Sequence, residues 1–387
     1  MDIQYRTYES GDEAGLADAF NLPFTRITMG GLLRTPARVK WRYITPPTAK
    51  PEEIQIGFDI DKGKIAGVVY STIGEYQFDG VQHRTGSIND VGTLPEYAGL
   101  GISRKLMEQA VAFMRSEGCA YSALSADARG FPRSKLYLPM GWQDYFKEHL
   151  WVSVIGTRPR TKIGTLLSPT FPALLASRAI RSLRLRKLAE RLARAGIETR
   201  FAFPWHGGGL DQALSRQIWR FHEAVTPRQM DGHTRIFLDE WIHFREKPIA
   251  TDLWPVYTVL TNHGEIVGYG SFMKQRMARI FGMRFPIAFG REFIVDETFT
   301  RDASLLADVN TLLAGKIWEA AIHDKCIALV YMLAPNDPRP ARAFKTLGFL
   351  HVEASVFMVN DLQNPGAPLP PLTRPFIVDP ADNYGYP

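Results

Sequence analysis

Cysteine and clustered metal ligands are scarce in this sequence. Only Cys119 and Cys326 occur among 387 residues, which excludes a disulfide framework and a cysteine-rich zinc site. The nine histidines show no paired spacing such as H-E-x-x-H, so we expect no structural or catalytic metal.

Long apolar runs are also missing. No stretch approaches the roughly 18 consecutive apolar residues that a membrane-spanning helix needs. The first residues, MDIQYRTYESGDEAG, have neither the basic nor the apolar region of a signal peptide. With 45% hydrophobic and 22% charged residues, the composition is that of a folded globular protein, which we expect to be cytoplasmic.

Acidic residues are rare in one segment, although the formal net charge of the whole chain is only +6. From Arg158 to Arg200 the sequence has eleven arginines and lysines against two glutamates, Glu190 and Glu198. Within this segment, residues 177–195 predict a basic amphipathic helix. Such a helix either docks its apolar side on a neighbouring module or contacts a membrane surface or a nucleic acid, and both interpretations stay open.

An internal repeat divides the chain. The segment Gly63–Gly67 matches Gly264–Gly268 at an offset of 201, and Cys119 matches Cys326 at an offset of 207. Two similar modules of about 150 residues are therefore predicted, within the usual range of domain sizes. The predicted units are a first module at 1–156, a basic linker at 157–195, a second module at 196–361 and a proline-rich, extended tail at 362–387.

The pattern of apolar residues predicts the same order of elements in both modules, β-α-α-β-β-β-α-β-α-β. Strands of alternating pattern are followed by amphipathic helices, and the long helix after the third meander strand has one apolar face. The expected fold class is α/β (α+β), with two tandem modules that each have a central mixed sheet flanked by helices.

One stretch of the first module, Val91–Arg104, reads as a strand end, a glycine-rich turn and a helix start. The first N–H groups of a helix have no intrahelical partners, and the helix dipole adds positive potential there. Gly99 and Gly101 allow the main chain to turn sharply and to approach a ligand closely. The stretch therefore predicts an anion site suited to phosphate.

Two motifs in this order resemble those of the GCN5-related N-acetyltransferases (GNAT). The family's V-x-V-x-P strand end and R/Q-x-x-G-x-G/A loop correspond to Val91–Pro95 and Ala98–Ser103. Its A-x-x-x-Y-x-x-x-G-F motif corresponds to Tyr137, Gly141 and Trp142. The tandem arrangement is similar to that of mycothiol-synthase-like and Eis-like acetyltransferases. Ala98 and Ser103 depart from the family pattern.

The resemblance implies acetyl-CoA as the cosubstrate, with pantetheine on main-chain groups of the strand end and pyrophosphate on the turn. The implied cofactor-binding residues are Val91, Gly92, Thr93, Ala98, Gly99, Leu100, Gly101, Ile102, Ser103 and Arg104. Tyr137 is the implied acid that protonates the coenzyme thiolate. Asp90, water and the C-terminal carboxylate of Pro387 remain alternatives for the general base.

The second module lacks the features that the resemblance assigns to the first. Asp296–Ala303 takes the place of the glycine turn with no glycine and three carboxylates, and Phe344 stands where Tyr137 is expected. We expect a degenerate copy and one acetyl-CoA site per chain.

The acceptor is the least determined part of the prediction. Trp41, Tyr43, Asp127 and Trp142 are candidates for its pocket, and aromatic residues there would suit an apolar or aromatic amine. The predicted function is acetyl-CoA-dependent N-acetyl transfer to a small-molecule amine in a ternary complex. The alternatives are transfer of a longer acyl or a tRNA-borne aminoacyl group, as in Fem-like transferases, and a non-catalytic scaffold that binds CoA or a membrane. No oligomeric state is predicted.

Overall fold

The computed structural model describes residues 2–27, 34–155, 171–202, 211–246, 255–280, 283–333 and 336–378. We call residues 2–155 the first half and residues 171–378 the second half. Apart from the first helix of the second half and two strands of two residues each, the two halves show a similar succession of helices and strands. The tandem repeat itself stays a prediction.

The first half contains strands β1–β6 and helices α1–α3. Their bounds are β1 Ile3–Thr7, α1 Glu13–Ile27, α2 Pro36–Val39, β2 Ile54–Asp59, β3 Lys64–Phe78, β4 Val81–Thr93, α3 Ile102–Ser116, β5 Tyr121–Asp127 and β6 Gln143–Val154. Short π-helical and 3-10 segments complete it, at Lys40–Ile44, Pro51–Glu53, Pro95–Tyr97, Arg133–Tyr137 and Leu138–Met140.

The second half contains the remaining elements. Their bounds are α4 Phe171–Arg194, β7 Ile197–Ala202, α5 Gln212–Gln229, β8 Asp231–Gly232, α6 Leu238–Trp241, β9 Pro255–Asn262, β10 Glu265–Ile280, β11 Met283–Val295, α7 Ala303–His323, β12 Ala328–Leu333, α8 Pro338–Thr346, β13 Leu350–Asp361 and β14 Phe376–Ile377. A π-helical turn, Ile242–Glu246, follows α6, and a 3-10 turn, Glu297–Phe299, precedes α7.

In the described part of the chain, fourteen strands form one continuous sheet. The strand order is β1-β2-β3-β4-β5-β13-β6-β12-β11-β10-β9-β7, and β8 and β14 pair with each other beside β3. Strand β13 of the second half thus lies between β5 and β6 of the first half, while β6 pairs with β12. Glu148 pairs with Ser355, its equivalent in the repeat, so the centre of the sheet is a point of approximate two-fold symmetry.

The predicted α/β class with helices on a mixed sheet is confirmed. The exchange of the last strands was not predicted, because a sequence repeat does not indicate which neighbour a strand joins. The unit boundaries near 156, 196 and 361 stay predictions, and the two halves share their last strands.

Helices cover the first-half sheet on both faces. Val69 packs under α3 and Val68 packs on α1, because consecutive side chains of a strand point to opposite faces. The approach of α1 is close at Gly92, where an added Cβ would lie 2.5 Å from the carbonyl oxygen of Ala19. The sheet thus separates a face covered by α3 from a face covered by α1 and α2.

The basic helix α4 docks on the second half. Leu185 and Leu192 are buried in the second-half core, and an added Cβ on Gly315 of α7 would lie 2.1 Å from Leu185. Arg181 donates to Ser153 Oγ at 2.9 Å, and its guanidinium lies 4.8 Å from the ring centroid of Trp318. The apolar side of the helix is therefore a packing surface.

In the described residues of the tail, 362–378, the chain contains no helix, and an extended conformation of the whole tail stays a prediction. The tail pairs β14 with β8 and places Phe376 in an aromatic cluster with Tyr76, Phe78 and Phe146 of the first half. Arg374 forms an ion pair with Asp231 at 3.5 Å. The tail therefore ties the two halves together, and Pro387 lies outside the described residues.

Among the helices of the described ranges, none combines the length and the apolar character needed to cross a membrane.

Candidate active site

An open glycine turn precedes α3. Gly99 and Gly101 have φ values of 84° and 77°, in the left-handed region that glycine adopts without strain. No side chain caps the helix at Gly101, and a Cβ added to either glycine would meet no atom within 4 Å. The space beside the two glycines is therefore open, and the first N–H groups of α3 have no side-chain cap, which together with the positive end of the helix dipole suits a phosphate group.

The equivalent helix of the second half, α7, is capped instead. Asp302 accepts hydrogen bonds from the main-chain N–H groups of Ser304 at 2.8 Å and Leu305 at 3.2 Å. Asp296 accepts one from the N–H of Thr298 at 2.8 Å. These carboxylates occupy the donors that an anion would need, and they add negative charge. Of the two turns, therefore, only the first has a chemistry suited to pyrophosphate.

A gap opens between β4 and β5 beside the glycine turn. The two strands pair in parallel from Thr85 to Ile88 of β4, and β4 continues alone on that side to Thr93. A bulge marks the start of the gap, because Tyr70 pairs with Asp90 and Ser71 pairs with Ile88, which leaves Asn89 without a partner in the register. Unpaired strand edges offer main-chain groups to a ligand. Val91, Gly92 and Thr93 lie along this gap.

Tyr137 ends the π-helical turn before β6 and is 8% exposed. Its ring packs edge-on against Trp142, with the ring centroids 6.3 Å apart. Within the described residues, no group hydrogen-bonds its hydroxyl. Burial and the nearby negative charge of Asp90 raise the pKa of Tyr137 above its usual value. The phenol therefore keeps its proton near neutral pH and has a free donor to give.

Asp90 is a buried, fully engaged carboxylate. It pairs with Nη2 of Arg34 at 3.0 Å and accepts a short hydrogen bond from the hydroxyl of Tyr43. Burial by itself would raise the pKa of Asp90, but the positive charges of Arg34 and Arg42 outweigh it, and the net pKa is lowered. The carboxylate is ionised and weakly basic.

The second half repeats this arrangement. Glu292 of β11 pairs with Nη2 of Arg245 at 2.6 Å and accepts a short hydrogen bond from Ser271. Burial opposes ionisation, yet Arg245 and Arg291 lower the pKa of Glu292 to about 2. An arginine–carboxylate ion pair thus occurs in both halves, including the half in which the helix after the turn is capped. We therefore assign the pair a structural role that does not depend on a cofactor.

A cleft that is partly open to solvent lies between the two halves. Its wall includes Asn89, the turn that follows α2 and the segment that follows β8. Residues of the first half in the wall include Arg42, Tyr43, Glu53, Tyr76 and Asn89, and residues of the second half include His233, Arg235, Phe237, Glu240 and Phe244. The cleft therefore reaches the β4 side of the gap.

Comparison with known proteins decides the family. Residues 5–144 match the family model described as "Acetyltransferase (GNAT) domain". The chain belongs to the GNAT superfamily. It is an acyltransferase, and the matched residues include the glycine turn, the gap and Tyr137. No curated protein matches its sequence.

Solved structures share the fold of this GNAT acyltransferase. N-myristoyltransferase of Saccharomyces cerevisiae with bound myristoyl-CoA has a TM-score of 0.63 at 12% identity, over 92% of this chain and 78% of that one. A GCN5-related N-acetyltransferase from Anabaena variabilis ATCC 29413 has a TM-score of 0.53 at 12% identity, over 93% of this chain and 73% of that one. At such identities the likeness concerns the fold alone.

Of the four acceptor residues predicted from the sequence of this GNAT chain, Tyr43 lines the cleft. Trp41 stacks on His243 at the junction of the halves, with the ring centroids 5.9 Å apart. Trp142 is 1% exposed and packs in the core under α3. Asp127 is exposed at the end of β5, where it accepts from the N–H of Arg129 at 2.8 Å. The acceptor roles of these three stay predictions without support from the cleft.

Sequence reasoning missed three buried charged residues of the acyltransferase. Arg34 lies outside both motifs, and Glu53 ends the 3-10 turn before β2, where no motif surrounds it. The burial of Glu148 could have been predicted from the sequence, because Glu148 lies between the apolar residues Phe146 and Leu150 on the same face of β6. In the described residues, no three His, Cys, Asp or Glu side chains come together as a metal site.

Proposed function

We propose that this acyltransferase transfers an acetyl group from acetyl-CoA directly to the amine of a small molecule, with both substrates bound together. The observation that carries the proposal is the contrast between the open N-terminus of α3 and the capped N-terminus of α7. Bound acetyl-CoA supplies an activated thioester. In this proposal the turn Ala98–Arg104 holds its pyrophosphate, and main-chain groups of Val91–Thr93 hold its pantetheine in the gap.

Tyr137 has the properties that the departing thiolate requires. The hydroxyl is protonated because its pKa is raised, and none of the described groups competes for its proton. A general acid of this kind contributes typically 10²–10⁴-fold to a rate. We therefore assign to Tyr137 the protonation of the coenzyme sulfur.

Asp90 is better suited to positioning than to proton transfer. Its lowered pKa makes it a weak base, and Arg34 and Tyr43 occupy its oxygens. In this proposal Asp90 holds Tyr43 in the wall of the cleft. The C-terminal carboxylate remains an alternative base, and a deletion that tests it must begin after Val378, since Phe376 is buried in the core.

The length of the acyl group is part of the same proposal. The S. cerevisiae neighbour is named with myristoyl-CoA, so a longer acyl group remains an alternative to acetyl. The tRNA-dependent and scaffold alternatives arose from the basic helix α4, whose Leu185 and Leu192 are used in packing. No feature of the described residues favours those two alternatives over acetyl transfer.

The test is an acceptor screen that follows release of free coenzyme thiol from acetyl-CoA and from longer acyl-CoA esters over a panel of primary amines. Tyr137→Phe should lower turnover by 10²–10⁴-fold with little change in acetyl-CoA affinity, because only the acid proton is removed. Calorimetry should give one acetyl-CoA per chain. A variant with normal turnover, or two cofactor sites per chain, would contradict the proposal.

A further inference from the structure

We infer that the cleft between the two halves is the acceptor site and that it takes a primary amine carried on an apolar or aromatic body, with Asn89 and Glu53 as its polar contacts. The inference rests on the proposed function and extends it to a substrate class and a proton acceptor. Both halves line the cleft, so the site is incomplete without the half that has lost the glycine turn.

Asn89 links the cleft to the reacting centre. It is the bulged residue of β4 at the start of the gap, and it lines the cleft. Its Nδ2 donates to Thr72 Oγ1 at 3.2 Å, whereas its Oδ1 is buried and has no hydrogen-bond partner within the described residues. Buried acceptors are costly to leave unsatisfied, and the N–H of an amine bound in the cleft would satisfy this one.

Glu53 is a buried carboxylate in the cleft wall, 4% exposed. It accepts from the main-chain N–H groups of Ile73 at 3.1 Å and Lys50 at 3.3 Å. In the described ranges no cationic side chain forms an ion pair with it, because the Lys50 ammonium pairs with Glu117 at 2.6 Å instead. An ammonium group of a ligand would supply the missing counter-ion.

Burial has a larger effect on the protonation of Glu53 than the charges around it. Burial raises the pKa of Glu53 to about 7, against the smaller effects of its main-chain hydrogen bonds and of the Lys50 charge, and the negative charge of Glu117 adds to the rise. The other charged or titratable groups of the cleft wall are Arg42, Tyr43, Glu75, Tyr76, His233, Arg235, Glu240 and Arg245. A carboxyl with this pKa accepts a proton readily near neutral pH.

Aromatic side chains from both halves form the walls that would hold the body of the amine. Tyr43 and Tyr76 come from the first half, and Phe237 and Phe244 come from the second. Phe237 is 56% exposed at the rim, a position where a large apolar side chain gains by covering a ligand. This combination of aromatic walls and a carboxylate without a counter-ion selects for a cationic amine on an apolar body.

The proton balance of the reaction closes with these groups. The ammonium gives one proton to the Glu53 carboxylate, directly or through water, and becomes a nucleophilic amine. The C–N bond then forms as the C–S bond breaks, and Tyr137 gives its proton to the thiolate. The second N–H proton of the amine returns to Tyr137, so one proton remains on Glu53 for release to solvent.

The test measures binding of 2-phenylethylamine to the whole chain by calorimetry at pH 6 and pH 8. Affinity should rise about tenfold over this range, because the ionised fraction of a carboxyl with a pKa of about 7 rises about tenfold. Glu53→Gln should bind weakly at both pH values. Glu148→Gln is the matched control, since burial also raises the pKa of Glu148 to about 7 but it lies outside the cleft wall.

Two further variants keep the inference testable if Glu53→Gln folds poorly, which thermal unfolding would reveal. Asn89→Ala should weaken 2-phenylethylamine binding about tenfold. Phe237→Ser, at an exposed position, should weaken it severalfold. Acetyl-CoA affinity should not change in any of these variants.

Four results would overturn the inference: no binding of 2-phenylethylamine to the parent protein, unchanged binding in Glu53→Gln, an equal loss in Glu148→Gln, or an equal pH dependence for neutral 2-phenylethanol. Failure of the proposed function is recognised separately. In that case acetyl-CoA would fail to bind, or no amine of the screen would release thiol from an acyl-CoA ester.

Discussion

Arg34 and Asp90 form a buried ion pair in which each charge compensates the other. Removing one partner of a buried pair leaves an uncompensated charge, whereas replacing both with apolar side chains is often close to neutral. We predict that Arg34→Met lowers the free energy of unfolding by about 3–5 kcal/mol, and that Arg34→Met with Asp90→Leu recovers most of it. Urea unfolding measures both. A stable double variant that binds both acetyl-CoA and the amine normally but does not transfer the acetyl group would favour Asp90 as the base.

Glu148, at the centre of the sheet, links stability to pH. Ser125 donates to it at 2.9 Å and Ser355 donates a short hydrogen bond, but burial dominates and raises its pKa from 4.5 to about 7. A carboxyl with a raised folded-state pKa favours folding below its unfolded pKa, and this contribution is lost as pH rises through about 7.

We predict that Glu148→Gln gains stability relative to the parent protein as pH rises from 5 to 8, by up to about 3 kcal/mol. The amide has no charge to bury, so its stability lacks this pH dependence. Urea unfolding at the two pH values gives the difference, and Glu53, which titrates in the same range, cancels in the comparison. A difference that does not change with pH would contradict the assigned protonation of Glu148.

The helix α3 can bind a phosphate group at its N-terminus only because no side chain caps its first N–H groups. We predict that Gly101→Asp lowers acetyl-CoA affinity at least about 100-fold, because a carboxylate at this position competes for the open N–H groups and repels phosphate. Gly101→Ala is the control, because it strains the backbone at a φ of 77° but adds no charge. This variant should lose about 1 kcal/mol of stability and still bind acetyl-CoA. Calorimetry with thermal unfolding separates the two effects, and equal affinity in both variants would show that the turn does not hold the pyrophosphate.

At the same scale, the sequence indicated local features better than tertiary ones. Gly99, Gly101 and Tyr137 were predicted as site residues because the motif and the helix start are local, and the prediction that the carboxylates of Asp296–Ala303 repel phosphate is local as well. Trp142 was an ambiguous candidate, since an aromatic residue after a glycine fits a pocket wall as well as a core. The Arg34–Asp90 pair joins residues 56 positions apart, and the cleft joins Tyr76 to Phe237, so neither leaves a pattern in the sequence.

For the whole molecule, the position of β13 between β5 and β6 makes the halves interdependent. The family match ends at residue 144, yet the core under α3 contains Val356 and Met358 of β13, and Phe357 and Val359 pack on the opposite face. Each such side chain contributes about 1.5–3 kcal/mol when buried, and a domain is stable by only about 5–15 kcal/mol.

We therefore predict that a chain ending at residue 155 does not fold alone, because the slot between β5 and β6 stays empty and both strands expose their edges. It should show no cooperative unfolding transition and no acetyl-CoA binding. Adding a second chain of residues 156–387 should restore both, since that chain supplies β13. Cooperative unfolding and full acetyl-CoA affinity in the first piece alone would mean that the exchanged strand is not needed to form the cofactor site.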